Sequence, residues 1–181
     1  MFATLKHMAI VSDQYALLGR FYEAVFKLKG SNAARPERAV VVGDGYVGLN
    51  INPRRAGRQA GLDHFGFEVE DVEKVFDRLK EKYSTVKILK RPSTRPFAGL
   101  STHDPAGNVF DLSQKGMENR TDVYEDGEWQ QVRYIDHIAL RTVIPEALAQ
   151  FYVDLFELNP LEKPAGDPNF YLTDGRVTFV I

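Results

Sequence analysis

Two hexapeptides, FYEAVF at Phe21 and FYVDLF at Phe151, each begin fourteen residues after a histidine, His7 and His137. The agreement continues: Asp44-Gly45 and Asp174-Gly175 each lie thirty-seven residues after the same histidines, with no insertion or deletion between. A chain that repeats itself at a fixed offset is built from copies of one supersecondary unit, and a single copy cannot bury its apolar face alone. A further copy opens at His64 in GLDHFGFEVEDVEKVF, so the pattern His-apolar-small-apolar stands three times, at His7, His64 and His137.

Each unit opens with a strand. In KHMAIV and DHFGFEV, apolar and other residues alternate, as burial of one face requires. A helix follows, with Leu17, Leu18, Phe21, Tyr22, Val25 and Phe26 at helical spacing after Ser12 or Asp13, and Val72, Val75, Phe76 and Leu79 at the same spacing after Asp71. Short strands close the unit. RAVVVGDGYVGLNI divides at the hairpin signal Asp44-Gly45, and VKILK, GLSTHD and NVFDLSQ complete the second unit. The expected fold class is α+β: repeated βαβββ units, two of them forming a closed, cup-shaped mixed sheet with helices outside, plus most of a third.

The expected boundaries are a two-unit module over 1–114, a linker over 115–132 and the third unit over 133–181. The linker segment is acidic and lacks period. The third unit stops at Ile181, the counterpart of Ile51, and the repeat logic calls for a fourth copy further along a longer protein. The alternative is a homodimer in which two chains pair their third units about a two-fold axis.

Composition removes several function classes. Hydrophobic residues make up 44% and charged ones 27%, the balance of a globular chain. No apolar run approaches the roughly 20 residues of a membrane helix, and the N-terminus lacks the marks of a signal peptide. A formal net charge of -2 gives no general field for phosphate backbones, which argues against nucleic acid as a partner. With zero Cys, any metal must take nitrogen and oxygen ligands, and a cytoplasmic location is expected. Arg54, Arg55 and Arg58 form a basic loop that can face an anionic ligand, although such loops are usually solvated.

Strand alternation sorts the remaining residues. His7, Ala9 and Val11 share one face; His64, Gly66 and Glu68, then Gly48, Asn50 and Asn52, then Val109, Asp111 and Ser113 fall on the corresponding faces of their strands. Their neighbours Phe65, Phe67, Leu49, Ile51, Phe110 and Leu112 point the other way, towards a core. Two imidazoles and a carboxylate on one concave face can form a facial triad that leaves positions open on an octahedral ion. His7, His64 and Asp111 are therefore the candidate metal ligands, and neutral His with ionised Asp are the forms a divalent cation selects. An isolated strand histidine is more often a hydrogen-bonded structural residue; here the repeated placement is what favours a metal site.

The paired units, LKHMAIV and LDHFGFEVEDVEKVF, and above all HDPAGNVFDLSQ resemble the vicinal oxygen chelate superfamily, which contains glyoxalase I, bleomycin-resistance proteins, methylmalonyl-CoA epimerase and extradiol ring-cleaving dioxygenases. The resemblance covers residues 3–114 as two units and 133–181 as most of a third. It implies that His7 is the first-strand ligand, His64 the ligand of the second unit and Asp111 the closing-strand carboxylate. Gly48 falls where glyoxalase and epimerase members carry a fourth ligand, and glycine cannot ligate, which points to the three-ligand arrangement of the dioxygenases. Three departures stand against that: Asp111 is shorter than the usual Glu, FAGLSTHD has no Tyr where ring-cleaving enzymes place a helper, and those enzymes mostly keep their iron in the C-terminal module.

The expected function is thus a metal-dependent, dioxygenase-like oxidoreductase that uses Fe(II) or Mn(II) and acts on a small molecule with vicinal oxygens. Asn50 and Asn52 are expected to orient that substrate, and His103 to move a proton. The rivals are a metal-free binding protein of the bleomycin-resistance type and a glyoxalase- or epimerase-type lyase or isomerase. His137 has no visible carboxylate partner; it can belong to a second site that further sequence would complete.

Overall fold

The computed structural model describes residues 1–31, 39–91, 97–116 and 133–181. Most of the expected linker, residues 117–132, lies outside the described residues. The first unit consists of β1 (Ala3–Ser12), α1 (Tyr15–Phe21, continued by a π-helical turn over Tyr22–Phe26), β2 (Lys29–Gly30), β3 (Val40–Gly43) and β4 (Gly48–Pro53). The second has β5 (Gly61–Val69), α2 (Val72–Lys82), β6 (Leu89–Lys90), β7 (Leu100–His103) and β8 (Val109–Gln114). The third repeats the order with β9 (His137–Ala139), α3 (Pro145–Phe156), β10 (Asn159–Pro160), β11 (Tyr171–Thr173) and β12 (Thr178–Val180).

Local chemistry accounts for the helix ends. Asp71 caps α2, its Oδ1 accepting from the backbone N–H groups of Glu73 and Lys74 at 3.0 and 3.3 Å. The first and third units end their helices alike: Lys27 and Glu157, at equivalent places in the repeat, both take the left-handed conformation with φ of 59° and 55°.

The first two units build one eight-stranded mixed sheet in the order β2-β3-β4-β1-β5-β8-β7-β6. Its centre is the antiparallel pair β1 and β5, and each of these strands is flanked on its other side by the last strand of its own unit, β4 or β8, running parallel. The third unit repeats one half of that sheet as β10-β11-β12-β9, with β9 parallel to β12.

The expectation of a closed cup is corrected by this order. Closing a sheet requires its two outermost strands to bond to each other, whereas here the order runs from β2 at one edge to β6 at the other. Each edge is a two-residue strand carrying a lysine, Lys29 or Lys90, a pattern that ends a sheet rather than extending it. The small, polar face from which closure was inferred does not need closure: His7, His64, Glu68, Asn50, Asp111 and Ser113 are buried on an open sheet.

The opposite face is the core. Phe65, Phe67, Phe110 and Leu112 are fully buried and share one apolar cluster with α2, α3 and β12. The third unit supplies the aromatic part of the covering layer: Phe67 stacks on Phe156 at 4.1 Å and 15°, and Phe65 lies 5.2 Å from Phe179. Tyr152 of α3 reaches through this layer, its hydroxyl donating to Oδ2 of Asp104 in the turn between β7 and β8 at 2.7 Å. That contact joins the third unit to the DPAGN turn. Burial, then the adjacent Asp104 charge, push the Tyr152 hydroxyl well above its ordinary pKa. No helix of the described residues is long and apolar enough to cross a membrane.

Candidate metal centre

His7 on β1, His64 on β5 and Asp111 on β8 come from three adjacent strands of the large sheet. Register brings them together. Gly66 stands opposite His7 and beside Asp111, while His64 lies two residues earlier on the same strand and therefore on the same face. The Nε2 atoms of His7 and His64 are 3.0 Å apart, and Nε2 of His64 is 3.4 Å from Oδ2 of Asp111. One ligand atom from each residue lies within 4.8 Å of the others, and all three side chains are buried.

These separations suit a common ion. Neighbouring ligands at right angles, each about 2.1 Å from a metal, are separated by about 3.0 Å. Two imidazole nitrogens and a carboxylate oxygen form the hard-to-borderline donor set of Zn, Mn and non-haem Fe sites, so the cluster is fit to hold a divalent cation. Gly48, the partner of His7 on β4, contributes no side chain.

The glycines also set the space around His7. An added Cβ on Gly66 would lie 2.5 Å from Cε1 of Phe97 and 3.1 Å from both the Asp111 carbonyl oxygen and His7 Cβ. With hydrogen in that place, Phe97 stacks on the His7 ring, centroids 4.8 Å apart and planes 17° from parallel. Phe97 thus presents an apolar wall to one ligand.

Outer contacts orient the other two. Asp63 Oδ2 lies 2.9 Å from His64 Nδ1, and Asp63 Oδ1 accepts from Arg58 at 2.6 Å. The hydrogen bond with His64, against the opposing effect of burial, together with the charge of Arg58 holds the Asp63 carboxyl below its usual range. Ser101, opposite Asp111 on β7, donates a hydrogen bond to Asp111 Oδ1 and accepts from Arg91 Nε at 2.7 Å. With Oδ1 held in this way, Oδ2 is the oxygen that faces His64.

The cluster does not include the remaining expected residues. Asn50 is buried and pairs with Ala9 and Val41, and Asn52 pairs with Val11, placing both further along β4 on the face of Gly48. His103 lies at the end of β7, two residues beyond Ser101, with Nδ1 2.9 Å from the backbone carbonyl of Asp104. His137 is exposed on β9 and contacts Asp136 at 3.2 Å. Of the basic loop, Arg54 is paired with Asp13 and Arg58 with Asp63.

Sequence reasoning missed Asp63, Ser101, Arg91 and Phe97. Two of them left a signal. The dipeptide Asp-His occurs at both His64 and His137, and the hairpin between β7 and β8 places Ser101 across from Asp111. Phe97 precedes β7 and belongs to no periodic pattern.

No curated protein sequence matches the chain. Among solved structures it is similar to a catechol 2,3-dioxygenase (TM-score 0.71, 13% identity, covering 98% of this chain and 66% of that one). It is also similar to a Mn(II)-bound glyoxalase from Novosphingobium aromaticivorans (0.74, 14%, 99% and 62%) and to an extradiol ring-cleaving dioxygenase from B. fuscum (0.70, 16%, 98% and 53%). The chain spans between about half and two thirds of the length of these three proteins, and at such identities the likeness is one of fold. The family model described as Glyoxalase/Bleomycin resistance protein/Dioxygenase superfamily matches residues 4–112, the span that carries His7, His64 and Asp111, and the chain belongs to that superfamily.

Proposed function

We propose that this chain is a metal-dependent enzyme of the dioxygenase type, in which His7, His64 and Asp111 hold Fe(II) or Mn(II) and a small substrate approaches through two vicinal oxygens. The observation that supports the reading is the convergence of three buried ligand side chains, drawn from three strands, with no fourth ligand at Gly48. Three protein ligands leave three positions of an octahedral ion for other groups. When bound, such an ion supplies Lewis acidity towards the substrate oxygens and redox access to dioxygen.

The chain's own residues account for the rest. Phe97 keeps water from one face of His7. Ser101 and Arg91 fix the Asp111 carboxylate in a single orientation. Asn50 and Asn52 supply amide donors and acceptors along β4 that can orient a polar substrate. His103 is suited to taking a proton: its Nδ1 faces a carbonyl, which only accepts, so the hydrogen resides on Nδ1 and the lone pair on Nε2.

Metal analysis of the purified protein, followed by oxygen-electrode traces on a panel of catechols, tests this. Near-stoichiometric Fe or Mn with oxygen uptake is the expected result. Absence of affinity for added Fe(II), Mn(II), Ni(II) or Zn(II) would leave a metal-free binding protein. Stoichiometric metal without oxygen uptake on any catechol would point to lyase or isomerase chemistry.

A further inference from the structure

Asp63 owes its position to an irregularity in the sheet. Ala9 on β1 stands opposite His64, but the next residue, Ile10, stands opposite Leu62, so Asp63 is an extra residue on β5 that no residue of β1 opposes. Strict alternation would send adjacent side chains to opposite faces of the sheet. A bulge re-aims the extra side chain, and here the Asp63 carboxylate comes within 2.9 Å of Nδ1 of the histidine that follows it.

The chemistry of that contact is one-sided. An ionised carboxylate only accepts, so in the neutral imidazole the hydrogen lies on Nδ1 of His64 and the lone pair on Nε2. Nε2 is the atom 3.0 Å from His7 Nε2 and 3.4 Å from Asp111 Oδ2. The carboxylate is itself anchored, because Arg58 takes its other oxygen. The dipeptide alone does not produce this arrangement. At Asp136-His137 the same pair is 3.2 Å apart with both side chains largely exposed, and the only ligand cluster among the described residues is the one containing His64.

We propose that Asp63 is a positioning residue, which through the β5 bulge fixes the tautomer and ring plane of His64 so that Nε2 is presented to the cation. The proposal rests on the metal reading above. Partners of this kind to ligating histidines typically change metal affinity by 10–100-fold when removed.

The experiment compares wild type, Asp63→Leu and Asp63→Asn as full-length proteins. Asn keeps an oxygen that accepts from Nδ1–H; Leu does not. Long-range proton–nitrogen NMR of the metal-free proteins, at a pH well above the ordinary imidazole range, reads the tautomer. Mn(II) titration followed by electron paramagnetic resonance reads the affinity. Expected are the Nδ1–H tautomer of His64 in wild type and D63N, its loss in D63L, and a Mn(II) Kd raised about 10–100-fold in D63L but within a few-fold of wild type in D63N. An unchanged tautomer or an unchanged Kd in D63L overturns the proposal, as does D63N binding as weakly as D63L. Wild type that binds neither Mn(II) nor Fe(II) instead removes the metal reading, and this proposal with it.

Discussion

Asp44 and Asp174, at equivalent positions of the first and third units, clamp each other's units reciprocally. Asp44 Oδ2 accepts from the backbone N–H of Ile135 at 2.8 Å, and Asp174 Oδ2 accepts from the backbone N–H of Leu5 at 2.7 Å. Leu5 and Ile135 are themselves equivalent, each two residues before its unit's histidine. Each aspartate also shapes its own hairpin, its Oδ1 accepting two further backbone N–H groups: those of Tyr46 and Val47 for Asp44, and those of Arg176 and Val177 for Asp174. The two units are thus related by an approximate two-fold written into the repeat.

Asp174→Ala removes an acceptor from three backbone donors in a buried setting and is expected to lower stability by about 2–4 kcal/mol. Urea unfolding checks it. A loss under about 0.5 kcal/mol would mean that water or a neighbouring group takes over these donors.

Adjacent residues on β5 are expected to respond in opposite ways. Phe65→Ala empties a fully buried site among Phe67, Phe110 and Phe179, and should cost about 3 kcal/mol or more. His64→Ala should abolish metal binding with a much smaller change in unfolding free energy. Denaturant titration and metal analysis on the same two variants separate fold from site, and reversed effects would contradict the assignment of the two faces.

Gly66→Ala places a methyl group against Phe97, His7 and the backbone at Asp111. Overpacking of this kind costs about 1–3 kcal/mol, and here the displaced rings and strand carry two of the three ligands. Both the unfolding midpoint and the Mn(II) affinity should fall. Retained affinity would show that the Phe97 stack is dispensable.

Tyr83 and Asp154 couple α2 to α3, with the hydroxyl donating to Oδ2 at 2.8 Å. Burial, then the Asp154 hydrogen bond and charge, push Tyr83 up to about 12 from an ordinary 10.0. A raised folded value means stabilisation that is whole below about pH 10 and is lost as pH rises through about 12. Burial alone would raise Asp154, but hydrogen bonds from Lys82, Tyr83 and Gln150 outweigh it and hold the carboxyl below its ordinary 3.8. Its contribution is therefore present above pH 3.8 and is lost as pH falls through the depressed value. Melting temperature against pH should show Tyr83→Phe losing the alkaline part of this dependence relative to wild type; superimposable alkaline limbs would refute the coupling.

The strand-helix order and the sorting of β5 and β8 into core and site faces were legible in the sequence, because Phe65, Phe67, Phe110 and Leu112 alternate with His64, Gly66 and Asp111 without interruption. The convergence of His7, His64 and Asp111 followed from the same alternation. Sheet closure was not legible, since it depends on how far the edge strands extend, and β2 and β6 are too short to leave a periodic signal. The role of Asp63 was hidden for a related reason: a bulge breaks the period on which face assignment relies. The partner of Asp104 was equally out of reach, because Tyr152 lies 48 residues further along the chain and reads as an ordinary core position of an amphipathic helix.

The covering of the Phe65, Phe67 and Phe110 rings by α3 and β12 bears on how this protein can be dissected. A fragment cut back to its first two units would present a wet aromatic wall in place of a dry seam, and would cling to surfaces, detergents and its own copies. Handled as a stand-alone piece it would report on that stickiness before it reported on chemistry.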